Sequence, residues 1–115
     1  MPPTLSLASV QLSYASRQSA AVRDFYRRIL GLRELDGEGR QFSFALGNAT
    51  LLLSPVARLE RPLTADVLAL RTEAYEQVLE RLRAAGHHPV CSAPGAPQRV
   101  MYVKDPGGNQ LALVG

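Results

Sequence analysis

The sequence contains no tryptophan and only one cysteine, Cys91, among its 115 residues. A single cysteine excludes an intrachain disulfide and favours a reducing compartment, so we expect a cytoplasmic protein. Long hydrophobic runs are also missing, because none approaches the roughly 18 residues of a membrane span. The first residues lack the basic and apolar segments of a signal peptide. The sequence therefore predicts no membrane partner.

Charge of either sign is sparse and is not gathered in one place. Lys104 is the only lysine, and the 13 basic residues slightly outnumber the 10 acidic ones. Asp24 interrupts the basic segment that begins at Arg23, and no basic stretch carries the interleaved aromatic residues that stack on bases. This mixed pattern predicts solvated helix faces and no nucleic-acid partner.

Apolar residues are plentiful enough for a core, at 46% of the chain. Two stretches carry them at the spacing of an amphipathic helix. The first helix is predicted over about 19–30, before Gly31, with an apolar stripe of Val22, Phe25, Tyr26, Ile29 and Leu30. The second is predicted to begin with Thr72 as its N-cap and to end at Gly86, with a stripe of Tyr75, Val78, Leu79 and Leu82.

Each predicted helix follows one strand-like segment and precedes three more. The predicted strands are 7–14, 32–36, 41–46 and 49–54 in the first half, and 66–71, 88–92, 98–104 and 109–114 in the second. Turn signals lie at Gly37–Gly39, at Gly47–Asn48 and at Asp105–Gly108. One unit of strand, helix, glycine and three strands therefore occurs twice.

This repetition predicts an α+β fold in a single domain over 1–115. Two paired βαβββ modules, about 5–55 and 63–115, form a cupped, mostly antiparallel eight-stranded sheet with the helices outside. One module alone leaves a face of its sheet unburied, so we expect the two to fold together. The cup is the predicted ligand site.

Two segments carry a resemblance to a known family. The residues Phe-Tyr-Arg-Arg-Ile-Leu-Gly-Leu at 25–32 and Val-Lys-Asp-Pro-Gly-Gly-Asn-Gln-Leu at 103–111, with the paired modules, resemble the vicinal oxygen chelate superfamily. This is the group of glyoxalase I, bleomycin and fosfomycin resistance proteins and extradiol dioxygenases. The resemblance covers nearly the whole chain and implies the fold given above and a homodimer.

The resemblance also implies where a metal would be held, since the catalytic members bind a divalent ion through His, Gln or Glu side chains of four strands facing the cup. Here those positions fall on Gln11, on Leu51 or Leu52, on Val67 and on Ala112. A divalent ion needs about three or more protein donors. Three of the four positions are apolar, so we expect no metal and no other cofactor.

No catalytic residue can be named from the sequence. His87 and His88 are adjacent, so in a strand they point to opposite faces and cannot easily grip one ion. Cys91 is expected to be a small buried residue without a base partner. Ser13 and Ser54 face the cup by alternation, but no histidine can be placed beside them to activate a nucleophile.

The predicted ligand-binding residues follow from strand alternation and from the resemblance. They are Gln11, Ser13, Leu52, Val67, Ala69, Tyr102 and Ala112. Tyr102 holds a position that carries a ligand-facing aromatic residue in resistance members of the family. Ordinary packing with the hydroxyl at the rim explains Tyr102 equally well. A buried amide bonded to its strand neighbours likewise explains Gln11.

Three functions are compatible with these residues. The leading hypothesis is a metal-free binding protein that encloses a small apolar or aromatic molecule. The alternative is a glyoxalase-like or dioxygenase-like enzyme with an atypical or metal-independent site. The third is a domain whose cup closes on another protein. The identity of the ligand does not follow from the sequence.

Overall fold

In a computed structural model, the chain is described over residues 5–35, 41–57 and 67–115. The first module consists of β1 (Ser9–Ala15), a 3-10 turn (Ser16–Gln18), α1 (Ser19–Asp24), a π-helical turn (Phe25–Ile29), β2 (Glu34–Leu35), β3 (Phe42–Leu46) and β4 (Ala49–Val56). The second consists of β5 (Val67–Arg71), α2 (Tyr75–Ala84), β6 (Val90–Cys91), β7 (Val100–Lys104) and β8 (Gln110–Val114). The predicted turn at Gly37–Gly39 and the start of the fifth predicted strand at Asp66 lie outside the described residues.

The strands form two four-stranded sheets of the same topology. Sheet A has the order β1-β4-β3-β2, and sheet B has the order β5-β8-β7-β6. The first pair in each sheet is parallel and the other two pairs are antiparallel. The predicted α+β fold with two βαβββ modules is confirmed. Within the described residues no hydrogen-bonded ladder joins the sheets, so the eight strands are divided four and four.

The helices cover one face of the sheets, as their apolar stripes predict. The buried core combines residues from both modules, including Val22, Phe25, Ile29, Leu51, Leu82, Met101 and Leu111. Gly31 and Gly86 follow the two helical segments with positive φ angles of 75° and 90°, which glycine adopts without strain. In the π-helical turn the Leu30 N–H donates to the Phe25 carbonyl at 2.9 Å.

The start of the second helix differs from the prediction. Thr72 is not the N-cap, because α2 begins at Tyr75 and Ala74 precedes it. The Thr72 hydroxyl instead accepts a hydrogen bond from the Ala74 N–H at 3.1 Å. A threonine hydroxyl that binds the backbone two residues later forms a local turn, and this turn delays the helix.

The predicted strand at 88–92 is shortened to the two residues of β6. Pro89 has no N–H to donate, so the β6–β7 ladder ends at the pair of Val90 and Tyr102. His87 and His88 therefore precede β6 and do not belong to a strand. Cys91 is exposed on this short edge strand, so the prediction of a buried cysteine was wrong.

A buried hydrogen-bond network joins the two modules. The Asp105 carboxylate accepts hydrogen bonds from the Gly107 N–H at 2.9 Å, from the Asn109 N–H at 2.8 Å and from the Tyr26 hydroxyl. The Asn109 side-chain amide donates to the Ser13 carbonyl at 2.9 Å. Burial, reinforced by the Asp105 carboxylate, raises the pKa of Tyr26 well above its ordinary value. The tight turn of the second module is thereby fixed to the helix and first strand of the first.

The described part of the chain contains no helix that is long and apolar enough to cross a membrane. The organisation of residues 1–115 as a single domain stays a prediction.

Candidate functional site

Each sheet has a second face, opposite the helices, which we call the open face. In sheet B the strand register places three rows of side chains on it. The rows are Lys104, Gln110 and Val67; then Val90, Tyr102, Ala112 and Ala69; then Val100, Val114 and Arg71. The middle row crosses all four strands and contains no charged residue.

The middle row combines exposed apolar side chains with small ones. Val90 and Tyr102 are 69% and 44% exposed, although both are large and apolar. Ala112, directly beside Tyr102 in the ladder, is only 5% exposed. The neighbours of Ala112 therefore cover it, and the apolar surface that this row offers to a flat molecule is mainly that of Val90 and Tyr102.

The open face of sheet A is more polar. Its central row contains Gln11, Leu52, Ser43 and Leu35, and the neighbouring row pairs Ser13 with Ser54. The register also decides which leucine of β4 shares the open face with Gln11. Leu52 pairs with Gln11, whereas Leu51 is fully buried in the core.

The two open faces meet at a cleft between β1 and β5. The cleft has a volume of about 330 Å³, and its lining includes Gln11 and Ser13 from β1, Val67 from β5 and Gln110 from β8. Three predicted ligand-binding residues, Gln11, Ser13 and Val67, therefore lie together. Leu52, Ala69, Tyr102 and Ala112 lie on the open faces without lining this cleft.

Gln110 was missed by the sequence analysis. It pairs with Val67 in the ladder and lines the cleft together with Gln11. The signal was available, because strand alternation from Ala112 places Gln110 on the same face. The cleft therefore carries carboxamide side chains from both sheets.

Within the described strands, the acidic residue Glu34 lies on the side of the sheets away from the open faces. No Asp or Glu of the described strands lies on either open face, whereas Lys104 and Arg71 lie on that of sheet B. Glu34 instead pairs opposite the core residue Phe44 and binds Arg23 at 2.8 Å. The hydrogen bond from Arg23 lowers the pKa of the Glu34 carboxyl.

The four positions at which the resemblance implies metal ligands do not fit a divalent ion. Gln11 supplies one neutral oxygen donor, and Leu52, Val67 and Ala112 supply none. Elsewhere in the described ranges, no cluster of three His, Cys, Asp or Glu side chains could hold a metal ion. The donor chemistry of the open faces is therefore that of amides and hydroxyls.

The candidate nucleophiles lack activating partners in the described residues. The Ser54 hydroxyl accepts a hydrogen bond from the Gln41 side-chain amide at 3.1 Å, and a primary amide is not a general base. Cys91 lies beside the phenol of Tyr75. Burial is the main cause that raises the pKa of Tyr75, and a hydrogen bond with the Cys91 thiol is the second. His87 directs its ring against the Phe25 ring at 5.2 Å between centroids.

Comparison with known proteins places the chain by sequence and by fold. The model of the Glyoxalase/Bleomycin resistance protein/Dioxygenase superfamily matches residues 9–113. No curated protein matches the chain.

Several solved structures share the fold. A glyoxalase family protein from Bacillus anthracis aligns with a TM-score of 0.83 at 17% identity, over 99% of this chain and 97% of that one. Lactoylglutathione lyase from Agrobacterium tumefaciens aligns with a TM-score of 0.74 at 19% identity, over 97% and 94% of the two chains. A glyoxalase/bleomycin resistance protein from a Streptomyces species aligns with a TM-score of 0.71 at 23% identity, over 96% and 100%. At these identities the similarity shows the fold alone.

Proposed function

Because the chain belongs to the Glyoxalase/Bleomycin resistance protein/Dioxygenase superfamily, we propose that it uses the family's open face to bind a small apolar or aromatic molecule without a metal ion. The ligand lies against sheet B, over the row formed by Val90, Tyr102, Ala112 and Ala69. Gln11, Ser13 and Gln110 provide hydrogen-bonding groups at the cleft between the sheets.

The observation that carries this proposal is the concentration of exposed apolar side chains on one face. The large hydrophobic residues exposed in the described ranges are Leu5, Leu7, Val67, Val90 and Tyr102. The first two precede β1, and the other three share the open face of sheet B. Covering apolar surface contributes about 25 cal/mol per Å², so a ligand seated on this face gains affinity from it.

The metal-free part of the proposal rests on the donor set. A metal that polarises a bound oxygen supplies the main electrostatic stabilisation in metal-assisted chemistry. The side chains of Leu52, Val67 and Ala112 cannot bind one, and the single amide oxygen of Gln11 does not replace them. Binding of an apolar molecule needs no such ion.

A neutral aromatic probe tests this function directly. N-phenyl-1-naphthylamine fluoresces on entering an apolar site, and we expect saturable binding to the protein in the presence of EDTA. Ala69→Leu should abolish or strongly weaken binding, because the added side chain occupies the open face while Ala69 itself is exposed. Ala21→Leu, at an exposed position of α1, is the matched control and should bind as the unmodified protein does.

Two results would count against the proposed function. One is the absence of saturable probe binding to the folded protein. The other is equal loss of binding in Ala69→Leu and Ala21→Leu, which would locate the probe away from the open face. Thermal melts of both variants establish that each is folded before binding is compared.

We also propose that the protein forms a homodimer and acts in the cytoplasm. The dimer is supported by the sheet edges, since β2 is the outer strand of sheet A and an outer strand leaves backbone groups that a second chain can pair with. Light scattering at tens of micromolar should give the mass of two chains, because such interfaces usually have about micromolar or better affinity. A monomer mass at that concentration would contradict the dimer and would leave ligand binding by one chain intact.

A further inference from the structure

A second cavity opens at the edge of sheet B, where β6 begins. It has a volume of about 410 Å³, and we call it the edge cavity. Its lining consists of Gly86, His87, His88, Val90, Tyr102, Val103, Lys104 and Gln110. Pro89 stops the β6–β7 ladder at Tyr102, so Val103 and Lys104 of β7 pair with β8 and have no strand on their other side. The missing part of β6 is what leaves this space open.

The edge cavity continues the open face. Tyr102 and Val90 belong to the middle row of sheet B and also line the edge cavity. Gln110 lines both the edge cavity and the cleft between β1 and β5. One ligand can therefore contact the Tyr102 ring and reach into the edge cavity.

The charge of the edge cavity has one sign. The lining contains one Lys or Arg residue, Lys104, and no Asp or Glu. Within the described part of the chain, Lys104 forms no salt bridge, and neither does the exposed Arg83 on α2. Lys104 is also exposed, so its ammonium group can be reached from solvent. An ammonium group without a carboxylate partner, beside apolar surface, favours an anionic group on the ligand.

We propose that the ligand of this protein is an apolar or aromatic anion, whose carboxylate, sulfonate or phosphate group Lys104 binds in the edge cavity. This inference rests on the proposed function and narrows its ligand class. The ring or chain of the ligand covers Tyr102 and Val90, and the anionic group lies beyond Tyr102, two residues along β7. The amide of Gln110 donates a hydrogen bond to the same group.

Two probes with the same rings separate the charge from the apolar contact. 8-Anilinonaphthalene-1-sulfonate carries a sulfonate, and N-phenyl-1-naphthylamine lacks it. At low ionic strength we expect the sulfonate probe to bind at least about threefold more tightly than the neutral probe. This difference in affinity should decrease as the salt concentration is raised, because salt screens exposed charges. The neutral probe should show little salt dependence.

Lys104→Gln tests the residue, since it removes the charge and keeps a polar side chain with the first two methylenes. We expect about three- to fivefold weaker binding of the sulfonate and unchanged binding of the neutral probe, as is typical for one exposed charge pair. Arg83→Gln removes the same charge from an exposed position on α2 and should change neither affinity. Far-UV circular dichroism and thermal melts confirm that both variants are folded.

The outcomes are distinguishable. Equal affinity for the two probes, or equal effects of Lys104→Gln and Arg83→Gln on the sulfonate, would overturn the inference and leave the proposed function standing. Failure of both probes to bind the folded protein would overturn the proposed function itself. Selective loss of sulfonate affinity in Lys104→Gln supports the anionic ligand.

Discussion

The two sheets share one topology and differ in the faces they leave open. Sheet A exposes hydroxyls and an amide around Leu52, whereas sheet B exposes an apolar row beside Lys104 and Arg71. The helix faces are much more alike. Val22, Phe25, Tyr26 and Ile29 in the first module have the same spacing as Tyr75, Val78, Leu79 and Leu82 in the second.

The two kinds of face are under different constraints. The helix of each module must bury an apolar stripe against its sheet, so both modules have apolar residues at helical spacing. The open faces carry no such constraint and are where the chemistry of a ligand can be matched. In the binding site that we propose, sheet A offers hydrogen-bonding groups, and sheet B offers apolar surface and positive charge.

The hairpin turns of the two modules also differ, in this case in length. Gly47 and Asn48 join β3 and β4 as a two-residue turn, whereas five residues, 105–109, join β7 and β8. The longer turn holds Asp105, which reaches the Tyr26 hydroxyl of the first module. The second hairpin therefore adds a polar connection between the modules to the core that they share.

The largest expected effect on stability comes from comparing the two faces of β4 in sheet A. Leu51→Ala should reduce the free energy of unfolding by about 2–5 kcal/mol, because it empties a fully buried site. Leu52→Ala, the adjacent residue on the open face, should cost less than about 1 kcal/mol. Urea unfolding followed by circular dichroism measures both. Equal losses would mean that sheet A is buried on both faces.

A smaller effect tests the connection between the modules. Tyr26→Phe removes one hydrogen bond to the buried Asp105 carboxylate and should cost about 1–3 kcal/mol. Tyr102→Phe removes a hydroxyl from a half-exposed ring and should leave stability within about 0.5 kcal/mol. If the two variants unfold at the same urea concentration, the Tyr26–Asp105 contact does not stabilise the fold.

The pH dependence of the same contact has a definite sign. The folded protein keeps the Tyr26 proton because its pKa is raised, while the unfolded chain loses it above about pH 10. The folded state then binds more protons, so its stability falls as the pH rises above 10, by up to about 1.4 kcal/mol per pH unit. Urea unfolding between pH 8 and pH 11 should show this extra slope in the unmodified protein and not in Tyr26→Phe. Parallel profiles would contradict a buried, protonated Tyr26.

The open faces themselves should affect binding more than folding. Tyr102→Ala is expected to lower the affinity for the neutral aromatic probe about five- to tenfold. Contacts between aromatic rings contribute about 0.5–1.5 kcal/mol beyond the area they bury. Gln11→Ala removes a hydrogen-bonding group from sheet A and should weaken binding about threefold. Fluorescence titration gives the affinities and thermal melts give the stabilities. Variants that unfold as readily as Leu51→Ala would make both residues part of the core.

Local patterns were sufficient for much of the fold. Helical spacing located the buried stripe from Val22 to Ile29, and the two glycines after the helices have the expected positive φ angles. The resemblance placed Gln11 and Tyr102 on the cup, alternation from Gln11 added Ser13, and the register puts all three on the open faces. These features depend on neighbours within a few residues, and such neighbours can be compared directly in a sequence.

Other features depend on contacts or competition that the local pattern does not contain. Tyr26 and Asp105 are 79 residues apart, so their hydrogen bond follows only from the packing of the two modules. The exposure of Cys91 follows from its place on β6, the short outer strand of sheet B. The late start of α2 follows from the competing hydrogen bond of Thr72. Gln110 is different, because alternation in β8 was sufficient to place it on the open face.

The central claim is that the open faces bind a ligand without a metal, and titration of chelator-treated protein with Mn²⁺, Ni²⁺ and Zn²⁺ tests it most directly. A specific site would raise the free energy of unfolding by about 2.7 kcal/mol at a free metal concentration 100 times its dissociation constant. We expect no such stabilisation, no metal by elemental analysis, and the same affinity for the neutral aromatic probe with EDTA or with added metal. One tightly bound ion per chain, lost in Gln11→Ala, would contradict the account and favour a metal-dependent enzyme.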